Sequence, residues 1–341
     1  MQRKRSLIYI LAVLITLPFF GSVAPATTID VLMTFDYPGP NVIATLPQKI
    51  EDQTDLVGTF ITADGTVRAF LFKPLDHTFS PLLNPPFANH GPTQAHGVNF
   101  RRHIVGEYLN ESDGTSHGWL MTHPSCTPTP TPTPGAIGMA TASDLSPVSD
   151  HGAHPRCPLE FDPFDLTGAL DTIPLGINNL GDICGTAFFS DGTQLAFISV
   201  LQVVTTFAVP GATATFAYQV NDSGQIIGYY IDSTGTKHGY TRDTDGTLTY
   251  PIDVPGTTGT LLLGNNASNW VVGRYTDTTD VTHGLFYVTP DDILTYDYPG
   301  ATYTSLNGIN ASGLICGYYN DAAGISHGFV ARVTVTGSAK P

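Results

Sequence analysis

The chain has 341 residues, with 14 Lys and Arg against 29 Asp and Glu, for a formal net charge of −15. An acidic balance of this size argues against nucleic acid and anionic membrane surfaces as partners, since both carry the same sign. The length suffices for one large core, so a single ring-like domain needs no second domain beside it.

Arg3, Lys4 and Arg5 precede an apolar run from Leu7 to Phe20, and the small residues Gly21, Ser22, Ala24 and Ala26 follow. This is the layout of a secretory signal peptide, expected to occupy 1–26. The run contains Pro18 and is short for a membrane span. A retained signal anchor is the competing reading. No lipobox Cys follows the run, and the final SAKP has no anchor character. The expected product is a secreted or periplasmic protein, free of the membrane after cleavage.

From residue 27 onward the chain repeats three short phrases. The opening phrase is FDYPG at Phe35–Gly39, FAVPG at Phe207–Gly211, IDVPG at Ile252–Gly256 and YDYPG at Tyr296–Gly300. Weaker versions are LNPPF at Leu83–Phe87 and FDPFD at Phe161–Asp165. The middle phrase is two apolar residues, Gly, any residue and usually an aromatic, with its glycine at Gly58, Gly106, Gly185, Gly228, Gly273 and Gly317. The closing phrase carries His117, His238, His283 and His327, each followed by Gly, and is degenerate at Arg68–Phe70 and Leu195–Phe197.

Six copies at a period of about 45 residues suit either helical pairs or propeller blades. The content decides. Each copy holds short runs rich in Tyr, Phe, Val, Ile and Thr, separated by Asp-Gly, Asn-Asp-Ser-Gly and Tyr-Pro-Gly turn signals. No helical periodicity is sustained outside the N-terminus. The expectation is an all-β fold: a six-bladed β-propeller of four-stranded repeats, residues 27–341 forming one domain. Thr28–Tyr37 matches Asp291–Tyr298, so the N-terminal strand is expected to close the ring by joining the sixth copy, which removes an open edge.

In the middle phrase, Ile226, Gly228 and Tyr230 share one strand face, and Ile227 and Tyr229 the other. The glycine leaves room for a close neighbour, and the aromatic two residues after it reads as core. The residue just after the glycine varies from copy to copy: Thr59, Glu107, Thr186, Tyr229, Arg274 and Tyr318. Such variation means either solvent, the simpler reading, or a ligand without six-fold symmetry. Glu107, Tyr229, Arg274 and Tyr318 are therefore the ligand-binding candidates.

These phrases resemble the bacterial HAF-family extracellular repeat proteins, whose units carry Gly-Ile-Asn, then Ile-Val-Gly, then His-Ala-Phe. The matching residues are Gly176-Ile177-Asn178, Gly308-Ile309-Asn310, the Ile/Val-x-Gly triplets and His327-Gly328-Phe329, with Gly in place of Ala in four closing phrases. The resemblance covers 35–122 and 161–330. It implies an exported β-repeat protein and transfers no activity.

A Thr/Pro-rich insert at 123–160 interrupts the pattern, expected as a loop between the second and third copies. Cys126 and Cys157 bracket it, and export makes a disulfide between them the expectation, worth about 3–4 kcal/mol for a loop of that size. Cys184 and Cys316 replace Val or Ile at one repeat position and are expected as buried free thiols. Asp150, His151, His154 and Cys157 have spacings a metal could use, but a short cluster in a loop is weak, and no metal or cofactor is expected.

Other motifs have structural explanations. Gly114–Gly118 and Gly324–Gly328 match G-x-S-x-G, yet they enter a strand where a nucleophile elbow needs a helix. Asp243-x-Asp245-Gly246 starts like a calcium loop and is better explained as a hairpin turn. The four repeat histidines sit on different copies, so bonding to a neighbouring turn is favoured over shared metal binding. The sequons at Asn221, Asn266 and Asn310 share one repeat turn, which turn chemistry accounts for. With no catalytic constellation visible, the functional expectation is a monomeric exported binding or scaffold module for an unknown extracellular ligand or protein. The alternative is an extracellular enzyme acting on glycans or other polymers at a channel mouth.

Overall fold

The computed structural model describes residues 27–80, 83–88, 91–122 and 159–335. The segment 1–26, the Cys126–Cys157 pairing and the cluster from Asp150 to Cys157 lie outside the described residues.

Every regular element among the described residues is a β-strand. The first, β1, spans Thr27–Phe35. A four-stranded antiparallel unit follows: β2 (Val42–Ile50), β3 (Leu56–Thr62), β4 (Val67–Lys73) and β5 (Thr78–Phe79). The second unit is β6 (Thr93–Val98), β7 (Ile104–Asn110), β8 (Thr115–Thr122) and β9 (Glu160–Pro163). The third is β10 (Ala169–Ile177), β11 (Ile183–Phe189), β12 (Gln194–Val200) and β13 (Val203–Phe207). The fourth is β14 (Ala214–Val220), β15 (Ile226–Ile231), β16 (Lys237–Arg242) and β17 (Leu248–Ile252). The fifth is β18 (Gly259–Asn265), β19 (Val271–Thr276), β20 (Thr282–Tyr287) and β21 (Ile293–Tyr296). The last run is β22 (Tyr303–Ile309), β23 (Leu314–Asn320) and β24 (Ser326–Val335), and β1 pairs antiparallel with β24 from Thr27↔Val335 to Phe35↔Gly328.

This pairing shows that the sequence repeat and the structural unit are out of phase by one strand. Each opening phrase ends the outermost strand of one unit and turns into the next. The insert at 123–160 therefore joins β8 to β9 inside the second unit, and does not lie between units as the phrase order suggested.

The middle-phrase glycines are demanded by packing. A Cβ on Gly58, Gly106, Gly185, Gly228, Gly273 or Gly317 would run into the carbonyl oxygen of Leu46, Gln94, Ile173, Phe216, Leu261 or Ser305 on the innermost strand. On Gly58, Gly106, Gly185 and Gly317 it would also meet the ring of Phe70, Trp119, Phe197 or Phe329. The glycine thus lets a closing-phrase aromatic lie against the backbone, as expected from the sequence.

The hydrophobic cores lie between units. Val57 and Leu71 of the first unit share a core with Ala95, Ile104 and Trp119 of the second. Val105 packs with Ile177 and Phe197, Cys184 with Ala217 and Ile226, Ile227 with Leu262 and Leu285, and Val272 with Ile315 and Phe329. Phe35, Leu314 and Cys316 pack with Ile50, Phe70 and Phe72 of the first unit. Cys184 and Cys316 are free, buried, and in different cores, as expected, and burial pushes both thiols up, Cys316 to about 12.

One residue per unit links these faces. The side-chain oxygen of Asn221 accepts from the backbone N–H of Ser223 and Gln225 at 3.1 and 3.0 Å, which shapes its own turn. Its amide donates to the carbonyl of Asn266 in the next unit at 2.9 Å. The same donation runs from Asn99 to Asn178, Asn178 to Asn221, Asn266 to Asn310, and Asn310 to Glu51, at 3.1–3.2 Å. These asparagines are buried, so the sequons at Asn221, Asn266 and Asn310 are turn chemistry. Glu51 holds the equivalent place. Its carboxylate accepts from Gln53 and Asp55 at 2.8 Å each but has no amide to pass on.

Burial raises the Glu51 carboxyl above its ordinary value, against the pull of those two N–H groups. A raised acid favours the fold below its unfolded pKa, and that contribution is lost as pH rises through the folded value. Replacing Glu51 with Asn keeps the acceptor, adds the missing donor and removes the buried charge. The expected gain is about 1 kcal/mol at pH 7 and less at pH 4, read from thermal melts. Removing residues 27–35 strips the partner of β24 and the burial of Phe35, and is expected to cost on the order of 5 kcal/mol, measured by denaturant unfolding of the truncated chain.

Candidate functional site

The side chains that carry chemistry fall into an outer belt and an inner cluster. In the outer belt, the opening-phrase aspartate meets the closing-phrase histidine. His238 Nδ1 lies 2.8 Å from Asp253, His283 Nδ1 2.8 Å from Asp297, His327 Nδ1 2.9 Å from Asp36 and His117 Nδ1 3.1 Å from Asp165. On the other side, Nε2 of His238, His283 and His327 stands 3.4–3.5 Å from the turn aspartates Asp232, Asp277 and Asp321. Tyr108, Tyr230, Tyr275 and Tyr319, the aromatics of the middle phrase, cover the imidazole faces at 5.0–5.4 Å. Each bracket belongs to one joint between strands, which bears out the structural reading of these histidines.

A second belt residue escaped the sequence reading. Thr45, Thr172, Thr215, Thr260 and Thr304 each stand six residues before the turn residue of their unit. Their hydroxyls accept from the backbone N–H of Tyr37, Leu166, Val209, Val254 and Tyr298 at 3.0–3.1 Å, anchoring the chain as it leaves each outer strand. The fixed spacing to Asn was the available signal. The G-x-S-x-G stretches run into β8 and β24 from turns, and Ser326 Oγ donates to Asn320 at 2.8 Å. Asp243–Gly246 is a hairpin turn between β16 and β17, closed by Gly246 N–H to Asp243 at 2.9 Å.

The inner cluster begins with a bulge. In every innermost strand the register slips across one residue, between Pro47 and Lys49, Ala95 and Gly97, Pro174 and Gly176, Ala217 and Gln219, Leu262 and Gly264, and Leu306 and Gly308. The skipped residues are Gln48, His96, Leu175, Tyr218, Leu263 and Asn307. A bulge re-aims the side chain it carries. All six line a small chamber of about 10 Å³ shared with Lys49 and Gln219. Their identities follow no repeat, so no pattern in the sequence marks them.

The variable position after the repeat glycine lies beside this chamber. The simpler reading, that it faces solvent, is corrected here: Thr59, Glu107, Thr186 and Tyr229 are buried, and Arg274 and Tyr318 are partly so. The cause is register. These residues pair with Leu46, Gln94, Ile173, Phe216, Leu261 and Ser305 of the innermost strands, and the next unit covers them. Thr186 Oγ1, for example, donates to the carbonyl of Thr215 in that unit at 3.3 Å.

Two groupings follow. Glu107 accepts from Gln94 Nε2 at 3.0 Å and lies 3.4 Å from His96 Nε2. Arg274 donates to Ser305 Oγ and Tyr318 OH at 3.4 Å each and lies over the Tyr303 ring at 5.9 Å. Tyr303 and Tyr318 stack at 5.3 Å with their hydroxyls 3.0 Å apart. Tyr229 stacks on Phe216 at 4.4 Å and leans on Tyr218. Tyr218 connects the two groupings: burial raises its hydroxyl, the Arg274 charge opposes that rise, and Tyr318 and Glu107 add to it. Arg274 and Tyr303 also line a cleft of about 350 Å³ with Lys237, Asp280 and Thr282, giving this grouping a route to the surface. Arg274 and Tyr318 are thus brought together, whereas Glu107 and Tyr229 approach them through Tyr218.

No protein-family model and no curated protein sequence matches the chain. Solved structures do resemble it. The Hadza microbial sialidase Hz136 superposes with a TM-score of 0.51 at 11% identity, over 85% of this chain and 65% of that one. TolB from Acinetobacter baumannii gives 0.51 at 10% identity over 83% and 65%, and AofleA from Arthrobotrys oligospora 0.51 at 10% over 93% and 91%. This chain therefore spans less than two thirds of the first two. At such identities the likeness concerns the fold alone, and the fold is that of β-propeller proteins.

The outer belt has a pH signature. Burial alone would lower the His238 pKa, but Asp253 and Asp232 outweigh it and raise the value. A raised base stabilises the fold below its unfolded pKa, and this is lost as pH rises through the folded pKa. Stability is expected to decline from mildly acidic to mildly alkaline pH, and His238→Gln is expected to flatten that decline in melting curves taken across pH 5–9.

Proposed function

We propose that the chain is an exported, non-catalytic binding module built as a six-bladed propeller, closed by β1 as the fourth strand of the last blade. Supporting closure, the sixth unit shares a core with the first and donates from Asn310 to the Glu51 carbonyl at 3.1 Å. The likeness of Gly176-Ile177-Asn178 and Gly308-Ile309-Asn310 to the HAF repeats fits this reading, because that phrase places the joint asparagine. The module is a monomer acting in the secreted or periplasmic space, in keeping with the basic and apolar start of the chain and its charge of −15.

One observation carries the site: Arg274, from the fifth unit, meets Tyr303, Ser305 and Tyr318 of the sixth at the wall of an open cleft. A guanidinium beside stacked phenols, with Lys237 and Asp280 at the rim, suits a hydroxylated, glycan-like ligand: rings to stack on and several donors and acceptors to orient it. A second reading, an extracellular enzyme acting on glycans, rests on the Glu107–His96 pair at 3.4 Å. Two-carboxylate glycoside hydrolysis pairs one acid with a second roughly 5–9.5 Å away, whereas the groups bonded to Glu107 among the described residues are an amide, Gln94, and an imidazole, His96.

A panel of neutral and acidic oligosaccharides, measured by calorimetry, tests the proposal. Arg274→Gln is expected to weaken binding ten-fold or more, about 1.4 kcal/mol, with the melting temperature nearly unchanged. Glu107→Gln is expected to leave that affinity within about three-fold. Turnover of any oligosaccharide by the wild type, abolished by Glu107→Gln, would instead establish the enzyme reading.

A further inference from the structure

The residue two before the joint asparagine is Gly97, Gly176, Gly264 or Gly308 in four units and Gln219 in another. The glycines are at a waist: a Cβ on Gly308 would meet the backbone of Gln48 and Lys49, and one on Gly176 the backbone of Tyr218 and Gln219. In the first unit this place holds Lys49, only 6% exposed. Packing at the waist asks for a small residue, so a long cationic side chain there has another cause.

Its amine has no hydrogen-bond or ion-pair partner among the described residues. Acids do lie near, around the wider pocket of about 50 Å³ that Lys49 also lines, but their oxygens are engaged. Glu51 accepts from Gln53 and Asp55. Asp52 accepts from Ala311 N–H at 2.8 Å and from the Asn179 amide at 3.3 Å. Asp222 accepts from Asn179 N–H and from the Asn179 amide, both at 2.8 Å. Gln219, the other polar residue of the waist, donates to the Val220 carbonyl at 2.8 Å. Three carboxylates are thus tied to amides, while buried Lys49, which lines both pockets, has an unmet demand for an acceptor. A buried charge left unpaired is costly.

We propose that Lys49 holds a halide-sized anion in the inner chamber. The chamber has the volume of about one water-sized sphere, about 10 Å³, so a monatomic ion is the largest anion it could take and phosphate and sulfate are excluded. It lies on the bulge-residue side of Lys49, whereas Glu51, Asp52 and Asp222 line the other pocket and not this one. Gln48 and Tyr218 supply further donors around it, and Leu175 and Leu263 form apolar walls that keep water from competing. The anion is distinct from the proposed glycan-like ligand, which meets Arg274 in the outer cleft.

The test compares melting temperatures of the full protein in sodium bromide and in sodium gluconate at equal ionic strength, gluconate being too large for the chamber. Bromide is expected to raise the melting temperature in a saturable way, on the order of 2 °C. Lys49→Met is expected to abolish this difference, while Arg274→Gln retains it and so separates this site from the outer cleft. Anomalous diffraction from crystals grown in bromide is expected to place the ion in contact with Lys49 Nζ, and this decides the matter should Lys49→Met fail to fold. A wild type indifferent to bromide, an equal response in Lys49→Met, or a chamber without anomalous signal overturns the proposal.

Discussion

In every unit but the first, an asparagine donates its side-chain amide to the turn carbonyl of a neighbouring unit. An asparagine at the end of the innermost strand satisfies its own turn with its oxygen and the next turn with its nitrogen, so local and long-range structure hang on one residue. That coupling explains why Asn178, Asn221, Asn266 and Asn310 tolerate burial: the amide is the one short side chain able to accept twice locally and donate outward. The glycine beside it and the bulge before it follow from the same approach, since the strands come too near each other at the waist for a larger side chain to fit without displacement.

Away from the waist the joints use charge. The aspartate of the opening phrase and the histidine of the closing phrase meet where one unit ends and the next begins, and the turn aspartate holds the imidazole from behind. The Thr234 hydroxyl and the turn N–H groups, with a further contribution from His238, lower the Asp232 carboxyl to about 2, so this side of the bracket stays ionised. The result is a belt of polar joints near the surface and apolar cores between the units, and the variable side chains are left to the interior around the innermost strands.

The phrase repeats made much of this legible. Strand content, the close approach at Gly228 and its equivalents, the turn role of Asn221 and the free state of Cys184 and Cys316 all follow from residues at fixed spacing. The place of the insert was misread, because an outer strand that pairs backward looks the same in sequence as one that opens the next unit. The position of Glu107 and Arg274 was misread for a related reason: a strand position whose chemistry changes at every copy looks like solvent, yet here it is buried against the following unit.

What the sequence alone determined, then, is everything that each unit needs for itself: strands from β-branched and aromatic runs, turns from Asp-Gly and Asn-x-Ser, glycine where a carbonyl comes close. Those demands are local, so they recur in every copy and can be counted. Only the tertiary structure decided which side chains meet at the inner chamber. Gln48, His96, Tyr218, Asn307 and Lys49 come from four different units and share no motif, and a bulge, not a pattern, turns them toward one another. Their juxtaposition depends on the units being set side by side, a geometry that no single copy encodes.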